Sequence, residues 1–132
     1  MENHPAYKIF IVDDDTFLLN MYSLKFSKNN YEVNTAQNAA EALRKIKDGY
    51  LPDIIILDII MPGMDGLELL HQFRKDKLVP NATIVLLTNQ SDASDIEKAK
   101  ALGVNGYIVK ATTVPSEVVD NITAIHKTAT QS

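Results

Sequence analysis

The sequence predicts an α/β domain of the doubly wound (βα)5 kind, a five-stranded parallel sheet with helices on both faces. Three observations predict it. Four short runs, Ile9 to Val12, Ile54 to Leu57, Ile84 to Leu87 and Tyr107 to Val109, are apolar, mostly β-branched and too short for helices. Between them lie stretches whose apolar residues recur at helical spacing. The order is strand then helix, five times over, and right-handed crossovers then place the helices on the two faces of a parallel sheet.

Taken in order, the first strand runs into Asp13, Asp14 and Asp15, and a helix follows from near Thr16 with Phe17, Met21 and Leu24 as its apolar stripe. Tyr31 to Thr35 alternates apolar and polar residues, as a half-exposed edge strand does. Asn38 and Glu41 have capping-box spacing at the head of the second helix, whose stripe is Ala39, Ala42, Leu43 and Ile46 and whose stop is Gly49. The third strand ends on Asp58, and Asp65 with Glu68 opens the third helix. Thr88 closes the fourth strand, Gly103 stops the fourth helix, and Lys110 closes the fifth strand. Pro115 then opens the last helix, with Thr113 as its cap and Val118, Ile122 and Ile125 as its stripe. One domain is expected over 1–132, its core about 7–126, with Lys127 to Ser132 a short polar, frayed tail.

Composition narrows the function. At 132 residues, 45% hydrophobic and 23% charged, the chain suits one ordinary globular domain. A net charge of -4 and a pI near 5.3 offer no general attraction for nucleic acid phosphates, so direct DNA binding is not expected. The lack of cysteine excludes disulfides, a thiol nucleophile and cysteine-held metals. The start, Met-Glu-Asn-His-Pro, is unlike a signal peptide, and no apolar run approaches the roughly 20 residues that span a bilayer, so a cytoplasmic protein is expected.

Ligands of such sheets bind at the carboxyl ends of the strands, where strand order reverses. Asp13, Asp14 and Asp58 collect there. If they approach within about 4 Å, each like-charge pair repels by roughly 4 kcal/mol at an effective dielectric near 20. Either protons or a divalent cation must offset that, and an all-oxygen site suits Mg²⁺, with Mn²⁺ as a substitute. Each residue alone has a plainer reading. The acidic triplet caps a helix, a role that fits Asp15 best; Asp58 introduces a turn; Thr88 is a β-branched strand end; Lys110 is a solvated lysine. Together, four strand ends carry what a Mg²⁺-assisted aspartyl phosphate needs: an accepting carboxylate, metal ligands, and a hydroxyl and an ammonium to bind phosphoryl oxygens. His71 and His126 read as packing or surface residues, His4 lies in a loose terminus, and the methionines form no stripe.

Five segments in this order, Ile-Phe-Ile-Val-Asp13-Asp14-Asp15, Leu57-Asp58-Ile-Ile-Met61-Pro62-Gly63-Met64-Asp65-Gly66, Leu87-Thr88, Ala101-Leu102-Gly103 and Gly106-Tyr107-Ile-Val-Lys110, make the chain resemble the receiver domain of bacterial two-component response regulators over about residues 7–126. The resemblance implies a flavodoxin-like fold with strand order 2-1-3-4-5. It implies Asp58 as phosphoacceptor, supplied by a sensor histidine kinase or phosphotransfer protein, with self-hydrolysis of the acyl phosphate rather than turnover of an external substrate. Asp14 would ligate Mg²⁺ directly, Asp13 through a water, Asp58 as ligand and nucleophile, and Ile60 through its backbone carbonyl. Lys110 and Thr88 would bind the phosphate, and Tyr107 would turn inward as Thr88 shifts. The change would reach the face of the fourth helix, fifth strand and fifth helix, where a downstream effector, an output domain or a second copy binds.

Three positions depart from the family. Ala111 stands where proline in a cis peptide is usual, Asn89 and Gln90 follow Thr88 where a small residue is frequent, and Ile60 is apolar at a position that tunes hydrolysis. Two other functions compete. A haloacid-dehalogenase-like phosphatase also uses an Asp-x-Asp after a strand, but needs threonine where this chain has Phe17. An unphosphorylated receiver serving as a rigid interaction domain would have lost an acidic residue or the lysine, and all are present.

Overall fold

The computed structural model describes residues 6–88, 93–110 and 113–131. Five strands and five helices alternate as β1 Tyr7–Val12, α1 Thr16–Lys28, β2 Tyr31–Ala36, α2 Ala39–Lys47, β3 Ile54–Leu57, α3 Gly66–Lys75, β4 Thr83–Thr88, α4 Ala93–Ala101, β5 Gly106–Val109 and α5 Pro115–Thr130. All neighbouring strands are parallel and their order is β2-β1-β3-β4-β5, the flavodoxin-like arrangement. Strand order reverses between β1 and β3, which opens the crevice at the carboxyl ends of those strands.

Because side chains alternate along a strand, each central strand feeds two cores. Phe10, Val12, Ile55, Leu57, Ile84 and Leu86 point to one face, where α2, α3 and α4 add Ala42, Ile46, Leu69, Phe73 and Ala99. Ile9, Ile11, Ile54, Ile56, Val85 and Leu87 point to the other, where α1 and α5 add Leu19, Tyr22, Phe26, Val118 and Ile122. Burial on both faces explains why these strands are unbroken apolar runs, whereas β2 at the edge is only partly covered.

Local signals placed most helix ends. The side chains of Asp15, Asn38 and Asp65 accept the amides of Leu18, Glu41 and Glu68, and Asp65 with Glu68 completes a capping box. Gly49 and Gly103 adopt φ of 108° and 82° just beyond α2 and α4, a conformation costly for other residues.

Three expectations need correction. Phe17 and Leu24 do not face the core; they are 74% and 60% exposed, and α1 buries Leu19, Tyr22 and Phe26. Apolar residues occupy both sides of this helix, and packing on β1 and α5 selects the other side. Thr113 is not the cap of α5. Its amide turns back to the Lys110 carbonyl at 3.4 Å, Val114 takes the cap position, and the Val114 amide donates to Glu117 at 3.3 Å. Nor does the chain fray after His126, since α5 continues to Thr130, whose hydroxyl donates to the His126 carbonyl at 2.9 Å.

Candidate functional site

The ends of β1, β3 and β5 deliver charged groups to the crevice. The amides of Asp13 and Asp58 extend the sheet by one bond each, to the carbonyls of Ala36 and Val12, so both side chains leave the sheet at a fixed height. Asp13 is 1% exposed and Asp58 8%, while Asp14 faces solvent. A carboxylate oxygen from each of Asp13, Asp14 and Asp58 lies within 4.8 Å of the others. Lys110, following β5, sends its ammonium between two of them, 2.6 Å from Asp13 Oδ2 and 3.4 Å from Asp58 Oδ2. The other Asp13 oxygen accepts the Asp15 amide at 3.0 Å. Asp15 itself caps α1, as expected.

This geometry sets the charges. Burial pushes the Asp58 carboxyl up from 3.8 to about 6; Lys110 opposes that, the Asp13 charge adds to it, and a hydrogen bond from the Ile60 amide opposes it again. Lys110 is pulled down by burial, but its bond to Asp13 and the charge of Asp58 outweigh that and leave it a stronger base than usual. The two shifts are compatible because the shorter contact goes to Asp13. Asp58 receives the smaller share of the cation.

Thr88 is buried at the end of β4, paired with Val109 one residue before Lys110. Tyr107 is partly exposed on the edge strand β5 and borders a groove of about 330 Å³ lined by Leu86, Ile96, Ala99 and Ile125. Ile60 is exposed, and its amide faces the Asp58 carboxylate. His71 is exposed on α3, and His126 is packed inside, away from the site. The departures at Asn89, Gln90 and Ala111, the peptide between Lys110 and Ala111, and His4 lie outside the described residues.

Two contributors escaped the sequence reading. A Cβ on Gly66 would fall 2.0 Å from the Asp58 carbonyl oxygen, so only glycine lets the head of α3 close on the loop after β3, where its amide bonds the Ile59 carbonyl at 2.8 Å. The one available signal was a glycine directly after a capping Asp, where a helix gains nothing from it. Tyr22, buried on α1, carries a hydroxyl whose pKa is raised by burial, lowered by Lys110 and raised again by Asp13. It stands outside the stripe assigned to that helix, so periodicity did not point to it.

The profile described as response regulator receiver domain matches residues 9–123. The chain belongs to that family. It is therefore a signalling switch of the phosphoacceptor class, a receiver domain of a response regulator. Among curated relatives it is 33% identical over 133 residues to the transcriptional regulatory protein ResD of Bacillus subtilis (strain 168), covering 100% of this receiver and 53% of the relative. It is also 33% identical over 118 residues to the alkaline phosphatase synthesis transcriptional regulatory protein PhoP of the same organism, covering 89% and 48%. This receiver thus spans about half the length of the curated relatives it matches. Among solved structures it is similar to a CheY-like response regulator receiver domain protein from Methanospirillum hungatei JF-1, with TM-score 0.85, 27% identity and coverage of 94% of this receiver and 96% of the other. The chemotaxis protein CheY4 of Vibrio cholerae follows at TM-score 0.82 and 29% identity, with coverage of 91% and 98%. No helix among the described residues is long and apolar enough to cross a membrane.

Proposed function

We propose that this receiver takes a phosphoryl group onto Asp58 from the phosphohistidine of a sensor kinase or phosphotransfer protein, with Mg²⁺ as cofactor. The observation that carries the reading is the shared placement of Asp13, Asp14, Asp58 and a buried Lys110 at one sheet edge. Three carboxylates and one ammonium leave a formal surplus of two negative charges there. The donor set is all oxygen and partly open to solvent through Asp14, which suits Mg²⁺ and Mn²⁺. Asp13, Asp14, Asp58 and the Ile60 carbonyl would hold the ion. When bound it supplies positive charge against the transferring phosphoryl oxygens.

In the transfer an Asp58 oxygen attacks phosphorus as the bond to the imidazole nitrogen breaks, and the leaving nitrogen keeps the electron pair. Hydrolysis ends the phosphorylated state: water attacks phosphorus, the bond to the Asp58 oxygen breaks, Asp58 leaves as a carboxylate, and inorganic phosphate and solvent take up the protons of the water. Lys110 stabilises the new phosphate, and the 0.8 Å difference between its two contacts leaves it room to move from Asp13 toward Asp58. Thr88 follows by bonding a phosphoryl oxygen. Tyr107 then has the groove beside α4 as space to turn into, which carries the change to the α4, β5 and α5 face. That face binds an effector, an output domain or a second copy, and the switch works in the cytoplasm. Phe17, Ile60 and Val114 are exposed apolar residues within four positions of Asp15, Asp58 and Lys110, and offer the donor protein a footing around the acceptor.

Incubation with Mg²⁺ and phosphoramidate, followed by mass spectrometry, tests the reading. One base-labile phosphoryl adduct is expected on the wild type and none on Asp58→Asn. Its absence from the wild type, or its persistence in the variant, overturns the proposal. Turnover of many phosphate esters would favour a phosphatase instead.

A further inference from the structure

The end of the sheet opposite Asp58 holds a titratable group that the phosphoryl chemistry does not use. His126, near the last turn of α5, is 5% exposed. Its Nδ1 lies 2.7 Å from the hydroxyl of Thr83, the first residue of β4, and its ring meets that of Tyr7, the first residue of β1, edge-on at 4.6 Å and 78°. Three residues earlier, the Thr123 hydroxyl lies 2.6 Å from the Tyr31 hydroxyl at the start of β2. Two polar contacts and one ring contact therefore fasten the second half of α5 to the base of three strands.

We propose that the His126 contact makes the seating of α5 sensitive to protons. With a neutral ring, Nδ1 either accepts from the Thr83 hydroxyl or donates to it, and both arrangements satisfy the pair. A protonated ring donates from both nitrogens, must pair Nδ1–H with a hydroxyl oxygen, and leaves a cation among apolar neighbours. Among the described residues, the charged and titratable groups around it are few in kind. Tyr7 faces it from β1, Tyr31 lies beyond Tyr7 on β2, Asp53 precedes β3, and Lys127 follows on α5 itself. Of these, Asp53 favours the cation, but its carboxylate is engaged by the Lys8 amide at 2.8 Å. Burial is the larger effect, and it lowers the affinity of the ring for a proton below the ordinary 6.5.

The sign follows. A docked ring that resists protonation is stable above about 6.5, where docked and undocked forms are both neutral. As pH falls below that value the undocked helix takes up the proton first, so docking weakens. Each pH unit by which the docked ring lies below its ordinary value weakens docking tenfold at the acid end. If α5 belongs to the partner face, acidification would loosen that face from beneath; this consequence rests on the proposed function, while the contact does not.

The test is a proton NMR titration of the full chain, with His126 assigned from the resonance lost in His126→Gln. Its ring should titrate below the ordinary histidine value of 6.5. Amide exchange in the second half of α5, corrected for the intrinsic pH dependence, should quicken between pH about 7.5 and about 5.5 several-fold more in the wild type than in His126→Gln. Comparison with the variant is needed because Asp58 titrates nearby in pH with the opposite sign, and that contribution is common to both proteins. A His126 ring that titrates at or above 6.5 overturns the proposal. So does equal acceleration in the wild type and the glutamine variant.

Discussion

Replacing Asp58 by asparagine should make the metal-free protein more stable at neutral and alkaline pH, although it removes the proposed phosphoacceptor. The folded protein holds this carboxyl at about 6 against 3.8 ordinarily, chiefly through burial. A group raised on folding contributes stability below its unfolded value, and that contribution is lost as pH rises through the folded one. About two pH units at roughly 1.4 kcal/mol each set a ceiling near 3 kcal/mol for the cost of ionised Asp58 at pH 8. Sharing of charge with Asp13 and Lys110 reduces it, so a gain of about 1 to 3 kcal/mol is expected for Asp58→Asn. At pH 5 the wild-type carboxyl is mostly protonated when folded, and the gain should fall by about half. Urea denaturation without Mg²⁺ at the two pH values measures both quantities. Equal stability at pH 8, or a gain that does not shrink on acidification, would refute the assignment of Asp58 as a strained carboxylate.

Two further substitutions separate charge from shape. Lys110→Ala removes the ammonium 2.6 Å from a buried Asp13, and loss of one partner of a buried pair costs about 3 to 5 kcal/mol. Mg²⁺ should still bind, because the carboxylates remain, and should recover part of that loss in urea denaturation; the response to phosphorylation should be weakened, and loss of metal binding would contradict the role given to Lys110. Gly66→Ala forces a methyl group against the Asp58 carbonyl, so a loss of about 1 to 3 kcal/mol and slower labelling by phosphoramidate are expected. Unchanged unfolding midpoints and labelling would show that α3 does not close on the acceptor loop as described.

What the sequence made legible follows from how many constraints acted on each residue. β1, β3 and β4 are buried on both faces, so their apolar runs had one reading, and the acids directly after them inherited their positions from the strands. α1 was ambiguous because Phe17, Leu18, Leu19, Met21, Tyr22, Leu24 and Phe26 cover much of the helix and confine most of its polar residues to a narrow stripe; the buried side is chosen by tertiary contacts with β1 and α5. The role of Gly66 needs two backbones from separate elements to meet, which no local pattern encodes. The last turn of α5 read as tail because Lys127, Thr128 and Thr130 are polar by type, while the pairing of the preceding His126 with Thr83 spans 43 residues. Site placement was legible where a residue stood at a strand end, and illegible where packing decided.

The unequal contacts of Lys110 lead to a last expectation. Because the ammonium sits 2.6 Å from Asp13 and 3.4 Å from Asp58, Asp58 keeps much of the cost of its own burial and stays a weak acid. A divalent ion among the three carboxylates must then displace a proton from Asp58 wherever that carboxyl is partly protonated, near and below about 6. Titration calorimetry at pH about 6, repeated in buffers of different ionisation enthalpy, should show release of a fraction of a proton per Mg²⁺ bound. At pH about 8 Asp58 is already ionised, and the release should vanish. In Asp58→Asn it should vanish at both pH values even if weak binding persists. Proton release that is equal at the two pH values, or that survives in the variant, would assign the titrating group elsewhere and remove Asp58 from the metal site. The expected pattern would instead tie together burial, metal binding and acceptor chemistry, since a carboxylate freed of its proton by the ion is the form that can attack phosphorus.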